Sequence, residues 1–177
     1  MAVDHVKSTA ITNLDATPRV VSTTGEGAPG KSFTVSGYAT AVASSSADAT
    51  YQLVRVPSNA KVKTIIFESE AQGAGKFDLG VYYATNGELG KPTSLLAAAA
   101  IDQDFFATVI DCASAVARTD VTNESGTYTL DKRNQPLWQA IGLTSDPGGY
   151  LDIVATVKTT AVTTGTGKFG VDVEFVM

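Results

Sequence analysis

The stretch TYQLVRVPSNAKVKTIIFESEAQGAGKFDLGVYY, residues 50–83, constrains the fold most. Pro57 removes a backbone donor and SNA supplies turn residues, so the chain breaks there into two extended runs. In LVRV and TIIF apolar residues occupy both parities, the pattern of strands covered on both faces. EAQGAGK breaks the chain again. In the run that follows, Phe77, Leu79, Val81 and Tyr83 fall on one side and Asp78, Gly80 and Tyr82 on the other, the two-residue period of a half-buried strand. Three strands joined by two turns follow. Gly73 and Gly75 form only a GxG, with no GxxG, GK or helix behind it, so they read as a β-turn and not as a phosphate cradle.

The remainder of the chain carries the same signature on both sides of this stretch. FTVSGYATAV, residues 33–42, alternates loosely as a strand and ends in the polar loop ASSSADA. Near the C-terminus, Leu151, Ile153, Ala155 and Val157 alternate with Asp152, Val154 and Thr156. Phe169, Val171, Val173 and Phe175 alternate with Gly170, Asp172 and Glu174. These two runs suggest a half-buried antiparallel pair. TDVTNESGTYTL reads as a strand closed by a turn at residues 123–126. Helix is confined to short pieces. The alanines before IDQDFFA predict a short helix over 101–107, weakened beyond it by the β-branched Thr108, Val109 and Ile110. Pro136 in a first helical position with Gly142 behind it predicts a second, with Trp138 as a wedge in the core.

Seven to nine strands, two short helical pieces and long connections specify an all-β, two-sheet antiparallel sandwich, best matched by a jelly roll. An immunoglobulin-like sandwich fits less well, since the chain has no cysteine pair and its loops are long. Residues 1–35 show no sustained period, contain the breaker cluster GEGAPG and read as an extended N-terminal arm; residues 36–177 form the sandwich domain.

Residue chemistry excludes more than it proposes. The 18 Asp and Glu against 13 Lys and Arg are scattered, and the densest basic spots are Lys61/Lys63 and Lys132/Arg133, too sparse for a phosphate-tracking surface. No nucleic-acid partner is expected. No run of 18 apolar residues occurs and the start MAVDHVKSTA lacks a secretory pattern, so neither a membrane partner nor export is expected. The single cysteine, Cys112, forms no intramolecular disulfide and reads as a buried thiol. His5 is the only histidine and falls in the arm, where a catalytic base would not be held; zinc sites need several His or Cys ligands. Asp102, Asp104 and Asp111 lack the spacing and glycine of a common calcium loop, and Asp102 and Asp104 read as acids at a helix start. No catalytic residue, no metal ligand and no cofactor-binding residue is assigned, and the protein is expected not to be an enzyme.

One resemblance supplies a function. The succession NLDATPRVV, TYQLVRVPSNAKVKTIIFESE, GKFDLGVYYATNGE, IDQDFFAT, VTNESGTYTL, QPLWQAIGL and SDPGGYLDIVATV resembles small head proteins of tailed bacteriophages, the decoration or cementing proteins of jelly-roll type. The resemblance implies a virion protein made in the host bacterial cytoplasm and bound to the exterior of an icosahedral capsid. Its partner would be the major capsid protein, whose neighbouring subunits it would cement, and it would act as a homo-oligomer, a dimer or trimer. The alternative from the residues is a carbohydrate-binding jelly roll for receptor recognition, with Tyr82, Tyr83 and Tyr150 as stacking platforms.

Overall fold

The computed structural model describes residues 5–8, 11–12, 15–17, 31–84, 100–158 and 167–177. Nine strands are formed among them: β1 (His5–Lys7), β2 (Ser32–Thr40), β3 (Thr50–Pro57), β4 (Lys61–Ser69), β5 (Lys76–Tyr83), β6 (Ala100–Asp111), β7 (Val116–Asp120), β8 (Tyr150–Val157) and β9 (Lys168–Val176). They make two sheets, one ordered β1-β3-β8-β5-β6 and the other β2-β9-β4-β7. Every pairing is antiparallel except that of β1 with β3. With β1 set aside, eight strands are divided four and four, and successive strands from β2 to β5 and from β7 to β9 do not pair with each other. That is the wrapping of a jelly roll, as the sequence predicts.

The 50–83 stretch is β3, β4 and β5, and its strands alternate between sheets instead of forming a meander. The β4–β5 turn sits at Gly73-Ala74, where Gly73 takes φ 70°. β3 is buried on both faces as expected, but β4 is not: Val62, Ile65 and Phe67 point inward while Thr64, Ile66 and Glu68 face out. β5 and β8 depart in the other direction. Their second faces, carrying Asp78, Gly80 and Tyr82 and Asp152, Val154 and Thr156, are buried too. β8 and β9 are also not partners. β8 lies between β3 and β5, and β9 lies between β2 and β4 in the opposite sheet. Alternation reports which face is apolar and says nothing about which strand sits alongside.

The core lies between the sheets. Phe77 stacks on Phe169 at 4.7 Å, and Tyr51 meets Phe169 edge-on at 5.1 Å, so one aromatic cluster ties β3 and β5 to β9. A second joins Phe105, Phe106 and Tyr128, with centroids 5.0–5.3 Å apart, and the Tyr128 hydroxyl donates to the Val62 carbonyl at 2.7 Å. This cluster explains why 101–107 is strand and not helix. Consecutive Phe105, Phe106 and Ala107 are all buried, and β6 reaches that state by bulging against β5, with register shifts at Phe77/Leu79, Leu79/Val81 and Val81/Tyr82. Tertiary burial and ladder pairing outweigh the alanine content upstream.

The second helical expectation holds in part. A single helical turn, α1 (Leu137–Ala140), follows Pro136, and the Leu137 N–H donates to the Ala60 carbonyl at 2.8 Å, which fastens the turn over the β3–β4 corner. The side chains it buries are Leu137 and Ala140. Trp138 is only half-buried and is not the wedge. Near residue 120, the strand β7 takes in only the first two residues of the TDVTNESGTYTL segment, Thr119 and Asp120, and the 123–126 turn is closed by Gly126 N–H to Asn123 O.

Candidate interaction surfaces

The described residues among 5–15 are fastened to the β3 side of the five-stranded sheet. β1 pairs in parallel with β3, His5 opposite Thr50 and Lys7 opposite Gln52. The Ser8 N–H continues the ladder to the Gln52 carbonyl at 2.6 Å, and the Ser8 hydroxyl donates to Leu53 O. Ile11 is fully buried. An ionic chain then crosses the sheet. Arg55 forks onto Asp152, with Nε to Oδ1 at 2.6 Å and Nη2 to Oδ2 at 3.0 Å, and reaches Asp15 through Nη1 at 2.6 Å. Gln52 donates to Asp152 at 2.7 Å and Lys7 to Asp15 at 2.7 Å. Arg55 and Asp152 face each other because β3 and β8 place them in register.

Burial sets the electrostatics. It pushes the Asp152 carboxyl up, against the opposing pull of Arg55 and Gln52. For Arg55 burial acts downward, but the hydrogen bonds and charges of Asp152 and Asp15 outweigh it and hold the guanidinium firmly protonated. Asp15 is also desolvated, yet its bonds to Lys7 and Arg55 bring its carboxyl below the usual value. Two carboxylates thus share one buried cation, and the chain segment bearing Asp15 is held by it.

Further along the same face, Asp78 accepts the Val109 N–H at 2.8 Å and pairs with Lys158 at 2.9 Å. Val109 has φ 53°, a strained conformation for a β-branched residue, and Asp78 pins the bulge that contains it. Asp102 and Asp104 lie on this bulged strand, so no helix dipole acts on them. Burial, followed by the neighbouring Asp104, raises the Asp102 carboxyl.

The exposed face of the four-stranded sheet is different in kind. Ser32, Thr34, Ser36, Tyr38 and Thr40 of β2 all point to solvent, and Tyr38 is 54% exposed. Arg118 on β7 bridges Asp172 at 2.6 Å and Glu68 at 3.8 Å, while Ser32 donates to Glu174 at 2.6 Å. A groove of about 650 Å³ runs across the sheet between Tyr38, Gly170, Glu68, Asp172 and Val116. The Lys168 ammonium lies 5.7 Å from the Tyr38 ring centroid.

The residues singled out in the sequence do not converge. Cys112 is buried and desolvation pushes its thiol up to about 11, the state of an inert packing thiol. Asp111 is exposed and caps the Ala113 N–H at 2.9 Å. Lys132 stacks 5.2 Å from the Phe105 ring, and Lys63 donates to the Arg133 carbonyl at 3.1 Å, so the basic spots are used within the fold. Among the described residues, no group of three or more His, Cys, Asp or Glu is placed to hold a metal ion, and no helix is long and apolar enough to cross a membrane. Tyr82 is buried with its hydroxyl 2.8 Å from Thr156 Oγ1, and Tyr83 and Tyr150 are half-buried. Tyr82 therefore cannot stack on a sugar. The exposed ring is Tyr38, which the sequence did not distinguish because its strand-face neighbours are all small and polar.

The fold is a two-sheet jelly roll. No protein-family model matches the sequence, and no curated protein is significantly similar to it. Among solved structures, a chain from the capsid of Ralstonia phage GP4 superposes with a TM-score of 0.65 over 97% of both chains at 11% identity. A chain of the cyanophage Pam1 capsid asymmetric unit aligns over 92% of this chain and 96% of that one, with a TM-score of 0.46 and 14% identity.

Proposed function

We propose that this protein is a structural component of a phage virion, bound to the exterior of the capsid, where it cements neighbouring major capsid protein subunits. The observation that carries this reading is the end-to-end correspondence with the Ralstonia phage capsid chain: 97% of each chain is matched, so the whole jelly roll is shared and not a fragment of it. Two further points support it. The buried charged side chains are paired, Arg55 with Asp152 and Asp78 with the part-exposed Lys158, which suits a mechanical role better than a reactive one. The net charge of −5 favours an outward position over contact with packaged DNA. Repetition over a lattice makes modest contacts sufficient, because each copy adds to the total.

Within this reading the arm of residues 1–35 contributes capsid contacts, but its two ends already belong to the body of the fold, since β1 lies in the five-stranded sheet and β2 begins at Ser32; the protein acts as a homo-oligomer. Co-sedimentation of the purified protein with capsids that lack it is the test. Saturable binding to the shell is expected, and it weakens when residues 1–25 are removed from a protein whose circular dichroism still reports the sandwich. Absence of binding to such capsids refutes the cementing role, and undiminished binding after truncation refutes the role of the arm.

A second reading, carbohydrate recognition, retains one observation: the exposed Tyr38 ring beside a groove edged by Asp172 and Glu68. Glycan-array binding abolished by Tyr38→Ala would favour it over the first.

A further inference from the structure

A sandwich has four edge strands, and three of them here carry the devices that prevent pairing with another chain. β1 is only three residues long. β6 is interrupted by three register shifts, turns at Val109 with positive φ and carries Asp102 and Asp104. β7 has five residues, among them Arg118 and Asp120, and a shift opposite Phe67/Ser69. β2 has none of these. Its nine residues SFTVSGYAT contain no charge and no proline, and they pair with β9 at all nine positions without a shift. Among the described residues, no backbone hydrogen bond reaches β2 from its other side.

We propose that the free edge of β2 is an interface that pairs antiparallel with β2 of a second copy of this chain, about a two-fold axis through Ser36. The strand is complementary to itself in that register. On the core-facing side Phe33 opposes Ala39 and Val35 opposes Gly37, large against small. On the solvent side Ser32 opposes Thr40, Thr34 opposes Tyr38 and Ser36 opposes its own copy. No charge opposes a like charge, because the strand has none. Phe33 and Val35 are only half-buried in the single chain and pack against its core, so pairing covers apolar surface that is now partly wet. A displacement by one residue would bring core-facing side chains opposite solvent-facing ones, which fixes the register to even steps. The two four-stranded sheets would then run on as one sheet of eight strands. An interface of this kind is isologous and closed: it yields a dimer and no fibre.

The inference stands on the edge alone and does not depend on the virion reading. Sedimentation velocity of the full chain between about 1 and 100 μM tests it, together with single-cysteine cross-linking. Opposed Cβ atoms in an antiparallel pair lie about 4.5–5.5 Å apart, within reach of oxidation or a short bismaleimide. Ser36→Cys is therefore expected to give a covalent dimer. Thr34→Cys is not, because its two copies would sit roughly 14 Å apart along the strands. Cys112 is buried and gives no background in the folded protein. Ser36→Lys places two ammonium groups face to face and is expected to weaken the dimer at least ~10-fold while the thermal midpoint of the monomer is kept. A monomer throughout the concentration range, or a dimer that cross-links through Thr34→Cys and not Ser36→Cys, overturns the proposal.

Discussion

Arg55→Met is the substitution that tests most of the electrostatic argument at once. Methionine keeps the length and most of the volume of the side chain but removes the charge. Asp152 is fully buried, so the change leaves its carboxylate without its cation, held by the Gln52 amide, and takes one of two cations from Asp15. Breaking a buried ion pair by deleting one partner costs about 3–5 kcal/mol, most of it the penalty of an unpaired buried charge. For a chain of this size each kcal/mol moves the thermal midpoint by about 2–4 °C, so a fall of about 6–20 °C is expected. Arg118→Met is the control. Its guanidinium bridges Asp172 and Glu68 on the exposed sheet face with side-chain exposures of 58%, 29% and 59%, and such a pair contributes at most about 1 kcal/mol. Urea unfolding at constant m-value compares the two. The double variant Arg55→Met/Asp152→Leu completes the test, because replacing both partners by apolar groups removes the stranded charge and recovers most of the loss. Equal costs for Arg55→Met and Arg118→Met, or a double variant no better than the single, would refute the reasoning.

Three further outcomes follow from the geometry. Gly80→Ala is expected to destabilise severely, by at least ~2 kcal/mol, since a Cβ there overlaps the Asp102 and Gln103 backbone where β6 folds across β5; a neutral result in denaturant melts would mean that the bulge yields freely. The Asp15 carboxyl is lowered in the folded protein, so its contribution is complete above the unfolded value of 3.8 and is lost as pH falls through the folded value. The protection factor of the Ser8 amide, measured against its intrinsic exchange rate at each pH, should fall on acidification there, and Asp15→Asn should remove that pH dependence. Cys112, with its thiol raised to about 11, should resist a disulfide reagent in the native protein at pH 8 and react at once in urea; fast native labelling would contradict its burial.

The strands were legible wherever the chain alternates. Phe77, Leu79 and Val81 and the run from Phe169 to Phe175 face the core as their spacing says. The jelly roll followed from strand number and loop length. What the sequence concealed has a common cause: it lies in contacts between segments far apart in the chain. Asp78, Asp152 and Thr156 look like solvent-facing positions and are buried, because Arg55, Lys158 and Tyr82 supply partners that pattern alone does not reveal. IDQDFFA looks helical until Tyr128 and Val62 complete an aromatic cluster around its two phenylalanines. Tyr38 carried no signal at all, since exposure of one ring on an otherwise polar strand face has no periodic signature.

The position of β9 has a consequence for how the chain comes to be folded. It comes last among the nine described strands and is an inner strand of its sheet, joined to β2 at nine positions and to β4 along most of its length. Until it emerges, β2 has no partner in its sheet and β4 has only β7, and one half of the sandwich cannot close. At synthesis rates of about 5–20 residues per second, roughly 130 residues separate β2 from its partner, so β2 waits roughly 6–26 s with its apolar face uncovered. The closing of this sheet is therefore a single late event. A chain lacking β9 is expected not to retain a weakened sandwich but to lose the four-stranded sheet altogether, and the same long waiting time gives the unpaired, uncharged β2 its best opportunity to find a strand in another molecule.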